Sequence, residues 1–291
     1  MKDYLLVILA VILLAFCFVL QKIYQQKTDD SVISAVDFSI ITGIFSAILL
    51  IICEGFLVSF TWFSFIYAFL KSACVLGCTV FSFKIMKCGS VAFYMLFLMS
   101  GGMLVPSVWG WLFLGEKPKA LHIIGVAVIL ASIILNNVGK QKPSAKLLIM
   151  CVGVFILNGF VSVFSKLHQI NTTYAAVSTG DYAMLSAITS IIMSLALRVI
   201  LSLKEQNKKQ RVELKFLPVI LALIYGIAMT VSSVLQLAGA KSLPASMLYP
   251  MITGGSIAFS GIFGLIVLKE KLSVKGWASV ILCCIGTCLF M

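Results

Sequence analysis

Charged side chains are scarce in this sequence, so those inside apolar runs are the first residues to ask for chemistry. Lys71 stands in the middle of an apolar run over 62–83, about 15 Å from either end at about 1.5 Å per helical residue. A lysine at a bilayer centre costs at least about 2.5–3.5 kcal/mol, so it should face a watery cavity or a partner. Two readings stay open: an ammonium that binds an anionic or carboxylate-bearing solute, or a run whose true bounds bring Lys71 close to an interface. Lys22 with Asp37, and Lys166 with Asp181, each flank a short connection between apolar runs. They read either as ion pairs pinning a hairpin or as gating groups, with proton coupling through a carboxylate as a further role. Asn158, Tyr94, Tyr225 and Tyr249 are candidates to line a cavity, although each alone is commonly a helix–helix hydrogen bond or a belt residue.

Other chemistries lack their residues. His122 and His168 have no second histidine at metal spacing, and no zinc-protease, P-loop or nucleophile-elbow pattern occurs. The nine cysteines lie almost entirely inside apolar runs, where thiols act as small hydrophobes. No enzyme activity, cofactor, metal site or disulfide framework is expected.

The elements that must position these residues follow from composition. Of 291 residues, 61% are hydrophobic and 11% charged, against about a quarter charged in a soluble domain. A soluble fold could not bury that much apolar surface, so lipid must be the solvent. The formal charge of +12 does not point to nucleic acid, because the basic residues sit between apolar runs, where they set membrane orientation. A bilayer core of about 30 Å needs about 20 apolar helical residues. That ruler gives ten spans, near 4–22, 33–53, 62–83, 90–114, 119–138, 147–166, 177–202, 216–238, 244–268 and 273–291. The spans are too long for barrel strands, so the expected fold is all-α. The first run has no small-x-small cleavage site and recurs later in the chain, so it is retained as a helix of the fold.

The sequence also repeats. An offset of 144 places Phe16, Lys22, Asp37 and Phe38 on Phe160, Lys166, Asp181 and Tyr182. An offset of 154 places Lys71 on Tyr225, and Lys87, Gly101, Gly110, Glu116 and Lys117 on Lys241, Gly255, Gly264, Glu270 and Lys271. Two homologous units, 1–140 and 145–291, are expected within one compact membrane domain. Five spans per unit is an odd number, so the second unit must cross in the opposite sense. Inverted repeats are a mark of secondary transporters that work by alternating access, with the substrate near the midplane between repeats. A scaffold or receptor that merely duplicated a stable unit is the rival from another class.

Gly102, Pro106 and Gly110 share one helix face on span 4, as Ser256, Ser260 and Gly264 do on span 9. With Gly101 and Gly255 they are expected to let the two spans cross closely near the pseudo-two-fold axis and to supply bend points. The odd-numbered loops and their flanks hold sixteen Lys and Arg and the other side five, which puts both termini outside the cytoplasm.

The five-plus-five duplication, with the turns Leu114-Gly115-Glu116-Lys117-Pro118 and Leu268-Lys269-Glu270-Lys271-Leu272, resembles the drug/metabolite transporter superfamily and within it the EamA-like family. Asn158-Gly159-Phe160 with Lys166 is similar to the family's first-helix pattern, of which the first unit keeps only Lys22. The chain departs from the family at Asp37-Phe38, where an arginine is common. The resemblance implies a multi-pass protein of a bacterial plasma membrane that moves a small organic solute, as a monomer or homodimer. A lipid-linked-sugar flippase is the alternative the same superfamily contains. It also implies cytoplasmic termini, against the charge count.

Overall fold

The computed structural model describes residues 2–28, 31–55, 59–88, 91–137, 145–204, 216–267 and 274–289. Among them the chain is all-helical. In order it forms α1 (Lys2–Lys27), α2 (Val32–Glu54), α3 (Trp62–Cys88), α4 (Val91–Phe113), α5 (Ala120–Asn137), α6 (Ala145–Ile170), α7 (Thr179–Lys204), α8 (Phe216–Ser242), α9 (Ala245–Val267) and α10 (Val274–Cys288). Seven helices, α1–α3 and α6–α9, are long and apolar enough to cross a membrane, and apolar stretches of α4 and α5 are shorter. The ten spans expected thus correspond to ten helices, of which seven meet the length and hydropathy of a full crossing.

Local chemistry ends the helices where backbone groups need partners. Ser31 caps α2, its hydroxyl accepting from the Ser34 amide at 3.0 Å, which satisfies one of the free first-turn N–H groups. Gly55 closes α2 at φ 89° with its amide on the Ile51 carbonyl, a backbone state that an L side chain resists. Large apolar side chains such as Ile52, Leu112, Ile149 and Ile266 face outward. That is the arrangement lipid requires and water would penalise.

Helices pack across the two halves more than within them. The first half's α1 lies on α8 and α9, while the second half's α6 lies on α3 and α4. Likewise α2 meets α7 and α8, α3 meets α7, α4 meets α9, and α5 pairs with α10. The expected role of the small residues needs correcting here. Gly101 faces the Phe155 backbone of α6, and Gly102 faces the Asn158 amide, so these glycines seat α6 against α4. Gly255 admits Val11 of α1 against α9. The close crossings are therefore α4–α6 and α1–α9, although α4 and α9 also touch, through Thr253 and the Met99 carbonyl. Pro106 lies inside α4, with Pro106, Ser256 and Gly264 buried and Ser260 half-buried. The hydroxyls of Ser256 and Ser260 return to carbonyls of their own helix.

Candidate functional site

Eight helices, α1–α4 and α6–α9, border a cavity of about 400 Å³. No described residue of α5 or α10 reaches it. Lys71, Asn158, Tyr225 and Tyr249, singled out in the sequence, all stand on its wall, and the side chain of Tyr94 lies outside the described residues. The rest of the wall is mostly aliphatic carbon and helical hydroxyls, among them Ser72, Ser165, Ser186 and Thr253. Lys71 is the one charged side chain among the lining residues described.

Its surroundings explain how a mid-helix lysine is accommodated. The Lys71 ammonium lies over the Tyr182 ring, 5.2 Å from the centroid, and an aromatic face attracts a cation more strongly away from water. Tyr182, fully buried on α7, stacks on His168 of α6 at 3.8 Å and 12°. His168 in turn holds the Ser64 hydroxyl of α3 at 2.8 Å through Nε2. Ser64 Oγ already accepts from the Thr61 hydroxyl and the Val177 amide. On the other side of the ring the Gln169 Nε2 lies 3.2 Å from Nδ1, while Gln169 Oε1 accepts from the Thr179 hydroxyl. Held at both ring nitrogens, His168 serves as a fixed plate behind Tyr182.

A matching trio is built on α1, α2 and α8. Phe38 lies 4.5 Å from Tyr24 and 4.8 Å from Tyr225, centroid to centroid. Tyr24, Phe38 and Tyr225 are the residues that the offsets of 144 and 154 place on His168, Tyr182 and Lys71. The two trios differ in that one carries a cation where the other carries a phenol. Sequence reasoning paired Phe38 with Tyr182 but gave neither a role, and it treated His168 only as a failed metal ligand. The signal was the offset itself, which aligns all three members of each trio.

The remaining lining candidates are held by hydrogen bonds. Asn158 Nδ2 donates to the Leu98 carbonyl at 2.7 Å, tying α6 to α4, and the Tyr249 hydroxyl donates to the Ser162 carbonyl at 2.6 Å.

The proposed ion pairs are redistributed. Asp37 is paired with Arg198 of α7 at 2.8 Å, not with Lys22. Arg198 reaches it across the α2–α7 contact with a planar guanidinium suited to a carboxylate. Lys166 is buried and donates to the Ala240 and Leu243 carbonyls, at 2.9 and 2.5 Å. It thereby supplies donors and positive charge to the last turn of α8. Asp181 sits in the first turn of α7, where its amide donates to Ser178, and makes no ion pair among the described residues. Lys22 stands in the penultimate turn of α1 and is half-buried. Arg198 was legible in the sequence only as an orienting charge, because its partner lies 161 positions away.

The turn after α4 explains its own sequence. Gly115 takes φ 66°, and the Glu116 amide reaches back to the Gly110 carbonyl at 3.1 Å. A Cβ on Gly110 would lie 2.5 Å from a carboxylate oxygen of Glu116. In the space left, the carboxylate accepts from the Ala245 and Ser246 amides at 2.7 and 2.9 Å. It therefore caps the positive end of α9, a helix of the other half. The corresponding turn at Glu270 lies outside the described residues. No cluster of three metal-ligating side chains forms among the described residues.

This arrangement defines a multi-pass α-helical membrane protein of transporter-like fold. Residues 1–138 match the EamA-like transporter family model, which bears out the resemblance to the drug/metabolite transporter superfamily. One crystal structure superposes on the chain with a TM-score of 0.72 at 16% identity, covering 99% of this chain and 96% of the other. That likeness concerns the fold alone. No curated protein matches the chain.

Proposed function

We propose that the chain is a secondary transporter that moves a small organic solute by alternating access, with the cavity as the substrate site. The observation that carries this reading is the composition of the cavity wall. It is built from α1–α4 and α6–α9, four helices of each half, and those helices pack in pairs that an exchange of halves maps onto one another. Contact α1–α8 answers to α6–α3, α1–α9 to α6–α4, and α2–α8 to α7–α3. An odd helix number per half makes the repeats inverted, so one half placed with respect to the other defines two equivalent arrangements, each open to one side. Rocking between them needs no broken helix core, only exchange of end contacts such as the Glu116 cap on α9 and the Asp37–Arg198 pair.

Purified protein in sealed vesicles should show saturable flux and accelerated counterflow of a soluble metabolite. Movement of lipid-linked headgroups without solute flux would instead assign the fold to flipping. Neither activity, with a protein partner retained through purification, would make it a scaffold.

A further inference from the structure

We infer that the cavity selects a monoanionic carboxylate carrying an apolar body, bound at Lys71. The inference rests on the cavity being the solute site. Charge sets the class: Lys71 is the one charged group among the described lining residues. Among those residues it has no carboxylate partner, only the Tyr182 ring beneath it. A cationic solute would meet a fixed positive charge with nothing to offset it. A dianion would leave its second charge uncompensated in a low-dielectric wall. A monoanion neutralises the site.

The second observation is an orphan donor. The Tyr182 hydroxyl is buried with no hydrogen-bond partner of good geometry, while the Ser165 and Ser186 hydroxyls, its weakly engaged neighbours, stand on the cavity wall. Buried hydroxyls without an acceptor are uncommon and call for an explanation. Tyr182 is not itself among the lining residues, so a carboxylate on the Lys71 ammonium reaches its hydroxyl through the Ser165 and Ser186 hydroxyls, which are. The equivalent trio on α1, α2 and α8 has Phe38 in place of Tyr182 and Tyr225 in place of Lys71. Cation and orphan hydroxyl thus occur together in one trio and are absent together from the other. The body of the ligand meets Leu98, Val161, Met229 and Ile252, an apolar surface with no feature to hold a second charge.

Binding of radiolabelled benzoate to protein in phosphatidylcholine nanodiscs tests the assignment, with benzamide and phthalate as competitors. Benzoate should bind and be displaced by neither benzamide nor phthalate at equal concentration. Lys71→Met should weaken it by about tenfold to a hundredfold, the range for losing a charged hydrogen bond. Lys71→Arg, which keeps the charge over the ring, should retain most of the binding and shows that the position tolerates change. Tyr182→Phe should weaken binding by about two- to tenfold. No benzoate binding to the parent, equal affinity in Lys71→Met, or displacement by benzamide as effective as by benzoate would each overturn the proposal. So would loss of benzoate binding when phosphatidylglycerol is added to the nanodiscs, because the monoanion would then be a lipid headgroup. Binding is read without flux. Benzoate held through Lys71 with no solute crossing a vesicle would leave the anion site standing and remove the transport reading. Flux indifferent to Lys71→Met would do the reverse.

Discussion

At the scale of the residue, four charged groups among the described residues each rest on a neighbour that compensates them. Lys71 rests on Tyr182, Lys166 on the carbonyls that end α8, Asp37 on Arg198, and Glu116 on the amides that begin α9. Tyr182 offers a clean separation of fold from function. Its ring is clamped against His168, so Tyr182→Ala should open a cavity and cost about 3–5 kcal/mol, seen as a lower melting temperature in detergent. Tyr182→Phe keeps the ring and removes a donor that has no acceptor, so stability should be unchanged or rise by up to about 1 kcal/mol. Phe38, in the equivalent trio, already packs without that hydroxyl. A melting temperature that fell as far for Phe as for Ala would show that the hydroxyl is structural. Lys71 itself could be read from the sequence, since a mid-run lysine is rare. Its bed could not, because Tyr182 lies 111 positions on and looks like any other aromatic in an apolar helix.

At the scale of the element, two features decide how helices of different halves meet. One is the close approach of α4 and α6, where a side chain on Gly101 would collide with the Phe155 backbone rather than with a movable side-chain end. Gly101→Val should therefore force the helices apart and cost about 1–3 kcal/mol or more, measured by thermal unfolding. An unchanged melting temperature would mean that the crossing is loose. The other is the Glu116 cap. Glu116→Gln keeps one acceptor and removes the charge facing the α9 terminus, an interaction worth about 0.3–1 kcal/mol at a surface and up to about 2 when partly buried. A modest loss of stability is expected, with a larger change in transport rate if the cap breaks and reforms in each cycle. The leucine–glycine–glutamate turn was visible in the sequence as a repeated motif. Its function was not, because Gly110 and Glu116 acquire a role only when α9 arrives from the other half. The small residues of α4 were read correctly as a close-packing face but assigned the wrong neighbour. A stripe of small residues says that something approaches closely and carries no label for what it is.

At the scale of the whole molecule, the strongest sequence signal was the double offset, and the geometry of the two aromatic trios follows it residue by residue. Hydropathy found the helices, while charge found their ends. The cavity was not legible, since its wall draws single faces from eight helices whose apolar interiors look alike in sequence. Orientation is open to a direct check: the sixteen-to-five distribution of Lys and Arg predicts that a tag after Met291 is reached by antibody in intact cells. Labelling only after permeabilisation would put the termini in the cytoplasm.

Alternating access is the central claim, and the repeat supplies a matched pair of reporters for it. Ser46 and Ser190, aligned by the offset of 144, both line the cavity. In a background without native cysteines, Ser46→Cys and Ser190→Cys would be treated with a membrane-impermeant thiol reagent from one side of the vesicle and then from the other. Each cysteine should react from both sides over time, with a substrate that locks one state shifting reactivity to a single side for both positions together. Reactivity from one side only, unaltered by any solute that is transported, would contradict the account.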